Sequence, residues 1–155
     1  GLENETITDF KDLPIEIVIN LIACTSVYRY DNKLIGDPID ISVINCFKGT
    51  LLEDSIKTSH PFSLSIETLA RFPFESALRR MSCVVTVQNP TFERGYEYYS
   101  VVKGAPESLK CMFSKIPHNY DELNNTYSSK GYRVISLGYK KLDFNTGNVV
   151  FTSLF

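Results

Sequence analysis

Apolar positions first recur at helical spacing. Leu13, Ile17, Val18, Leu21 and Ile22 fall on one face, and Asp12 with Pro14 marks a helix start. A turn is expected from Tyr30 to Gly36. Gly36 to Asp40, GDPID, then opens a second helix: Asp37 suits the N-cap, Pro38 the first helical position, and Asp40 stands three residues after the cap. Val43, Ile44 and Phe47 predict its buried face, and Lys48-Gly49 its end. Beyond this point the period shortens to two. Alternation predicts a strand over Phe62–Phe72, and β-branched and apolar residues predict another over Met81–Val87. Asn89-Pro90 and Arg94-Gly95 mark a turn, and Tyr96–Val102 reads as the next strand. Helices are expected at Pro106–Phe113 and Tyr120–Ser129, and strands at Tyr132–Tyr139 and Asn148–Thr152. Consecutive strands joined by a short loop pair antiparallel. The predicted fold class is therefore α/β of the α+β type: a twisted, mostly antiparallel sheet flanked by helices.

Composition narrows this picture. A chain of 155 residues with 43% hydrophobic and 22% charged residues suits one globular domain, residues 1–155, and not a disordered or fibrous protein. A net charge of -2 argues against a nucleic-acid partner. The longest apolar stretch, Leu13–Cys24, is interrupted by Pro14, Glu16 and Asn20 and falls short of the ~20 residues that span a bilayer, so no membrane contact is expected of this chain itself. No basic-then-apolar leader is seen, and a chain that opens on Gly1 without Met is expected to be a piece of a longer protein. Cys24, Cys46, Cys83 and Cys111 form no CxxC pair, and each has apolar neighbours, which predicts four reduced core thiols in a reducing compartment and no metal site.

A catalytic centre is hard to assemble. His60 and His118 adjoin prolines and read as loop residues. No GxxxxGK[ST] or GxGxxG segment occurs, and the carboxylate pairs Glu53/Asp54 and Asp121/Glu122 read as solvated faces. Three stretches stand out. In Arg71–Ser82, RFPFESALRRMS, Phe72 and Phe74 alternate ahead of Arg79-Arg80. An exposed ring beside a cation suits a nucleobase, worth ~1–3 kcal/mol per stacked base; alternatively both rings are core and both arginines surface charges. In Val101–Glu107, VVKGAPE, a strand delivers Lys103 into a turn where Gly104 lets a ligand approach the backbone. The same residues also fit a plain strand-to-helix turn. In Gly131–Lys140, GYRVISLGYK, Arg133 enters a strand near its start and either snorkels or faces a ligand.

Taken in order, GDPID, RFPFESALRRMS, VVKGAPESLKCMF and KGYRVISLGYKKL resemble the nucleotide-binding (N) domain of P-type ATPases. The family pattern is a GDPxE-like helix start, a Phe followed five residues later by a cation and then Met-Ser, then KGAPE, then GxRVxxL. The motifs span Gly36 to Leu142, and their wording looks most like subfamily five-A, the endoplasmic-reticulum, cation-transporting-ATPase-like branch. The resemblance implies that Phe74 stacks on adenine, that Arg79 stands where the family usually has Lys near the phosphates, and that Lys103 lies at the back of the adenosine pocket with Gly104 and Ala105 beside it. It further implies that Arg133 lies near the ribose and phosphate end, that Asp40 contacts the adenine side, and that Ser76 and Met81 line the pocket.

Two departures are visible. Asp40 stands where Glu is commoner, and Arg79 replaces Lys and is followed by Arg80. The chain contains neither DKTGT, whose aspartate is phosphorylated in the family, nor GDGxxND, which helps hold Mg²⁺. The resemblance thus implies an ATP-binding domain that presents the γ-phosphate to an aspartate in a separate phosphorylation domain. ATP is its ligand, with Mg²⁺ held mainly outside it. Its partners are the phosphorylation and actuator domains of the same chain, and its place is the cytosolic face of an endoplasmic-reticulum membrane protein. A noncatalytic interaction module and an N domain of another P-type subfamily are the alternatives.

Overall fold

The computed structural model describes residues 9–143, so the expected strand Asn148–Thr152 lies outside the described residues. Helix α1, Ile15–Ala23, is followed by a hairpin of β1, Tyr28–Tyr30, and β2, Lys33–Ile35, and then by helix α2, Pro38–Cys46. Six strands follow: β3 Thr50–Leu51, β4 Ser55–Thr58, β5 Leu64–Glu75, β6 Arg80–Gln88, β7 Tyr96–Gly104 and β8 Ser136–Leu142. They neighbour one another in chain order and every pair is antiparallel. Helices α3, Pro106–Leu109, and α4, Tyr120–Ser129, occupy the β7–β8 connection. This is the predicted α+β arrangement.

Alternation along β6 explains the layering. Met81, Cys83, Val85 and Val87 are buried on one face, against Tyr99 and Val101 of β7 and Leu64 and Ile66 of β5. Helix α1 covers that face with Val18, Ile19 and Ile22, and α2 adds Val43, Ile44 and Phe47. Burying such side chains contributes about 1.5–3 kcal/mol each. Asn20 of α1 is also buried; its amide donates to the carbonyls of Val102 and Gly138, at 3.1 and 2.7 Å, tying the helix to β7 and β8. On the opposite face Phe113 lies against Gly138, where a Cβ would come within 2.3 Å of its ring.

Helix α2 forms as its sequence predicts at both ends. The Ile39 amide donates to Asp37 Oδ1 at 2.9 Å. At the far end the Gly49 amide reaches the Ile44 carbonyl at 2.7 Å while Lys48 takes the left-handed conformation, φ 48°. Asp40, however, does not complete a capping box; its carboxylate is used elsewhere.

Several expectations are corrected. Asp12 does not begin α1: it ends a short 3₁₀ turn capped by Asp9, and Leu13 and Pro14 are extended before Ile15. The turn expected from Tyr30 to Gly36 is the β1–β2 hairpin, with Asp31 and Asn32 both at positive φ, as a two-residue loop with native twist requires. The helix expected to Phe113 is shorter, α3 giving way to a 3₁₀ turn at Lys110–Met112. The strand expected from Tyr132 begins only at Ser136. Its partner β7 ends at Gly104, which pairs with Ser136, so the residues before Ser136 have no strand to bond. Of the four cysteines, all free, Cys24 and Cys83 are buried, but Cys46 and Cys111 are exposed, not core.

Candidate functional site

The site residues gather where β5, β6 and β7 meet the start of α2. Met81 pairs with Lys103, and Lys103 with Leu137, so the three share the α1 and α2 side of the sheet. Phe72 pairs with Ser82 and Glu75 with Arg80, leaving Pro73 and Phe74 together opposite Met81. That extra residue is a β-bulge. Period-two alternation alone would give Phe74 the face of Phe72; the bulge re-aims it toward Met81 and Lys103. Pro73, with no amide to donate, suits the break in the ladder. Phe74 is 61% exposed and Phe72 42%, so the reading of both as core rings is ruled out. Phe74 and Lys103 stand two strands apart, about 10 Å.

Lys103 is held from α2. Its Nζ bonds Asp40 Oδ1 at 2.7 Å, and both side chains are largely buried. The other oxygen, Asp40 Oδ2, accepts from the Ser26 amide at 3.1 Å. The shorter reach of Asp40, compared with Glu, thus serves two internal donors. Burial of this charge is tolerable because both oxygens are satisfied.

The next corner is built from Arg79, Gly104 and Ala105. A Cβ on Gly104 would come within 2.6 Å of the Arg79 carbonyl and 2.9 Å of Arg80 Cα, so only glycine fits. The Ala105 amide donates to the Arg79 carbonyl at 3.0 Å, and the Arg79 amide to the Glu75 carbonyl at 2.7 Å. Arg79 itself is at φ 52°, and its guanidinium pairs with Glu107. The Arg80 side chain makes no hydrogen bond or ion pair among the described residues, and its Cβ lies against Gly104.

Not every candidate joins this row. Ser76 lies in the exposed turn between β5 and β6. Arg133 is in the irregular segment before β8, not in a strand, and is exposed; its Nη1 meets Asp37 Oδ2 at 3.3 Å. It therefore reaches the start of α2 and not Lys103 directly. The Ile39 amide, and then Arg133, hold the Asp37 carboxyl below its ordinary range despite slight burial. Glu107, Asp37 as a counter-ion and the Ser26 amide were not visible as site groups from sequence. Their signals, an acidic first-turn residue and a cap, have ordinary structural explanations. Arg71, also in the RFPFES stretch, instead bonds the Ala23 and Thr25 carbonyls at 3.2 and 3.1 Å and so caps α1.

Behind the row, contact with the Cys83 thiol and burial push the Cys24 thiol well up, so it stays protonated. Among the described residues no cluster of three His, Cys, Asp or Glu could hold a metal ion. No described helix is long and apolar enough to cross a membrane. A cleft of about 510 Å³ lies at the opposite end of β7, between Arg94, Tyr96, Glu97 and Lys141, and holds none of the candidate residues.

An exposed aromatic ring, a lysine held by a buried aspartate and a glycine corner thus lie together on one antiparallel sheet. Residues 14–150 match the family P-type ATPase, cytoplasmic domain N, and the chain belongs to that family. Among its relatives, a probable manganese-transporting ATPase, PDR2, of Arabidopsis thaliana is 31% identical over 145 residues, covering 92% of this chain and 12% of the relative. The endoplasmic reticulum transmembrane helix translocase spfA of Aspergillus fumigatus is 28% identical, covering 84% and 11%. The translocase of that name in Saccharomyces cerevisiae is 30% identical, covering 72% and 9%. The chain thus spans about a tenth of the length of these relatives.

Proposed function

We propose that this domain binds ATP on behalf of a P-type transport ATPase. Adenine stacks on Phe74, Met81 floors the pocket, and Lys103 closes its back, held in place by Asp40. Gly104 and Ala105 bring the backbone close to the ligand. Arg79 and Arg133 serve the ribose–phosphate end, and Ser76 lies on the rim. The observation that carries this reading is the row Phe74–Met81–Lys103, with the bulge turning an exposed ring onto the face of the locked lysine.

In this reading the chain binds and orients, and chemistry occurs elsewhere. Phosphoryl transfer relies on positioning and charge neutralisation. The γ-phosphate is handed to an aspartate of a phosphorylation domain, and closure between domains, the actuator domain included, couples this to transport. Mg²⁺ travels with the nucleotide and finds its protein ligands outside this row. The parent protein sits in the endoplasmic reticulum membrane with this domain on the cytosolic side, a reading supported by the names of the two translocases. Relatives' names differ in cargo, including manganese and transmembrane helices, so cargo is assigned to the rest of the parent chain.

The test is an NMR titration of the domain with ATP and with AMP up to millimolar ligand, where binding is still worth about 4 kcal/mol. Shifts should cluster at Phe74, Met81, Lys103 and Gly104. A folded sample with no shifts at high ligand would overturn the reading.

A further inference from the structure

Each cation assigned to the ligand already has a carboxylate of its own: Lys103 has Asp40, Arg133 has Asp37, and Arg79 has Glu107. The first pair is buried and structural. The last is half exposed on both sides and sits at the corner that the nucleotide-binding reading gives to the phosphates. The Arg79 backbone is pinned by its bonds to Glu75 and Ala105, so only its side chain is free to change partner. Glu107 is fixed just as firmly, one residue after Pro106 in the first turn of α3. The opening of β6 and the opening of α3 are thus bound together at Gly104, and their charges meet in front of it.

We infer that Glu107 is a specificity-determining residue that withholds Arg79 from the phosphates, so that the domain selects adenosine more than phosphate number. This rests on the nucleotide-binding reading above. A phosphate group must displace the Glu107 carboxylate from the guanidinium before it gains a charge-assisted bond there, and the two anions then stand close together. The net gain from each added phosphate is therefore small. Arg80 does not substitute for Arg79, because its Cβ lies on the Gly104 side of the ladder, away from the Lys103 face.

The test compares ATP and adenosine affinities for the wild type, Glu107→Gln, Arg79→Ala and the double variant, with Glu107→Ser as a second way to remove the charge. The exposed pair sets the scale: loss of the carboxylate should tighten ATP about 1.5- to 5-fold and leave adenosine unchanged. In the Arg79→Ala background the gain should vanish. A gain that persists there would make it a long-range charge effect and overturn the proposal, as would equal tightening of adenosine, or no gain with either Glu107 variant in a domain that binds ATP normally. Failure of the wild type to bind either ligand would instead overturn the nucleotide reading, and this inference with it.

Discussion

Phe74 and Lys103 are proposed to face the same ligand, yet their substitutions should fail differently. Phe74 is mostly exposed, so its truncation leaves no cavity in the core. Phe74→Ala should weaken ATP binding by about 1–3 kcal/mol and change stability by less than about 0.5 kcal/mol. Lys103 is a counter-ion of Asp40 as well as a proposed pocket wall. Lys103→Ala leaves the Asp40 carboxylate buried with only the Ser26 amide, which should cost about 2 kcal/mol of stability or more, alongside a loss of ATP affinity. Calorimetric affinities and urea midpoints on both variants separate the roles. A large fall in midpoint for Phe74→Ala would place its ring in the core, and normal ATP affinity in Lys103→Ala would remove that residue from the pocket.

At the scale of elements, α2 carries the site because its start is fixed from two sides. Asp37 accepts from the Ile39 amide and from Arg133. These contacts, the amide first, hold its carboxyl below the ordinary 3.8. A depressed folded value means that the stabilisation is full above the unfolded pKa, about 3.9, and is lost as pH falls through the folded one. Asp37→Ala should therefore cost about 1 kcal/mol at pH 7, with the gap to wild type narrowing below about pH 4. Urea midpoints across that range test it; a gap that stays constant to pH 3 would show that the charge does not support the cap. This start of α2 was legible in sequence, since Asp-Pro at a helix opening has one common physical reading. Strands β6 and β7 were legible too, because Met81, Cys83, Val85 and Val87 alternate along β6 and Tyr96–Val102 is rich in Tyr and Val. Strands β3 and β4 were not: Thr50–Leu51 is too short for a period, and Ser55–Thr58 is mostly polar. Phe74 had the right residue type, but the bulge that turns it is a property of pairing with β6. Glu107 had no signal, because its partner Arg79 meets it only through the contact of two strands.

At the scale of the whole molecule, the row and its ion pairs combine a ring platform with neutralised cations and no metal-ligand cluster among the described residues. On the proposed nucleotide-binding reading, such a surface favours the nucleoside. ATP and AMP should therefore shift the same amides and differ little in affinity, and Mg²⁺ added at constant ATP should leave the pattern around Phe74 and Lys103 in place. Binding should also occur without turnover. The sequence contains no DKTGT aspartate to accept a phosphoryl group, and the row offers no histidine base. Transfer depends on in-line positioning and charge neutralisation, and a site whose cations already face carboxylates neutralises little. Purified domain incubated with ATP and Mg²⁺ should release no phosphate above the blank while its spectrum shows ATP bound. Phosphate release that Phe74→Ala abolishes would mean that these residues assemble a hydrolytic centre of their own, and the division between a domain that binds and a domain that reacts would have to be withdrawn.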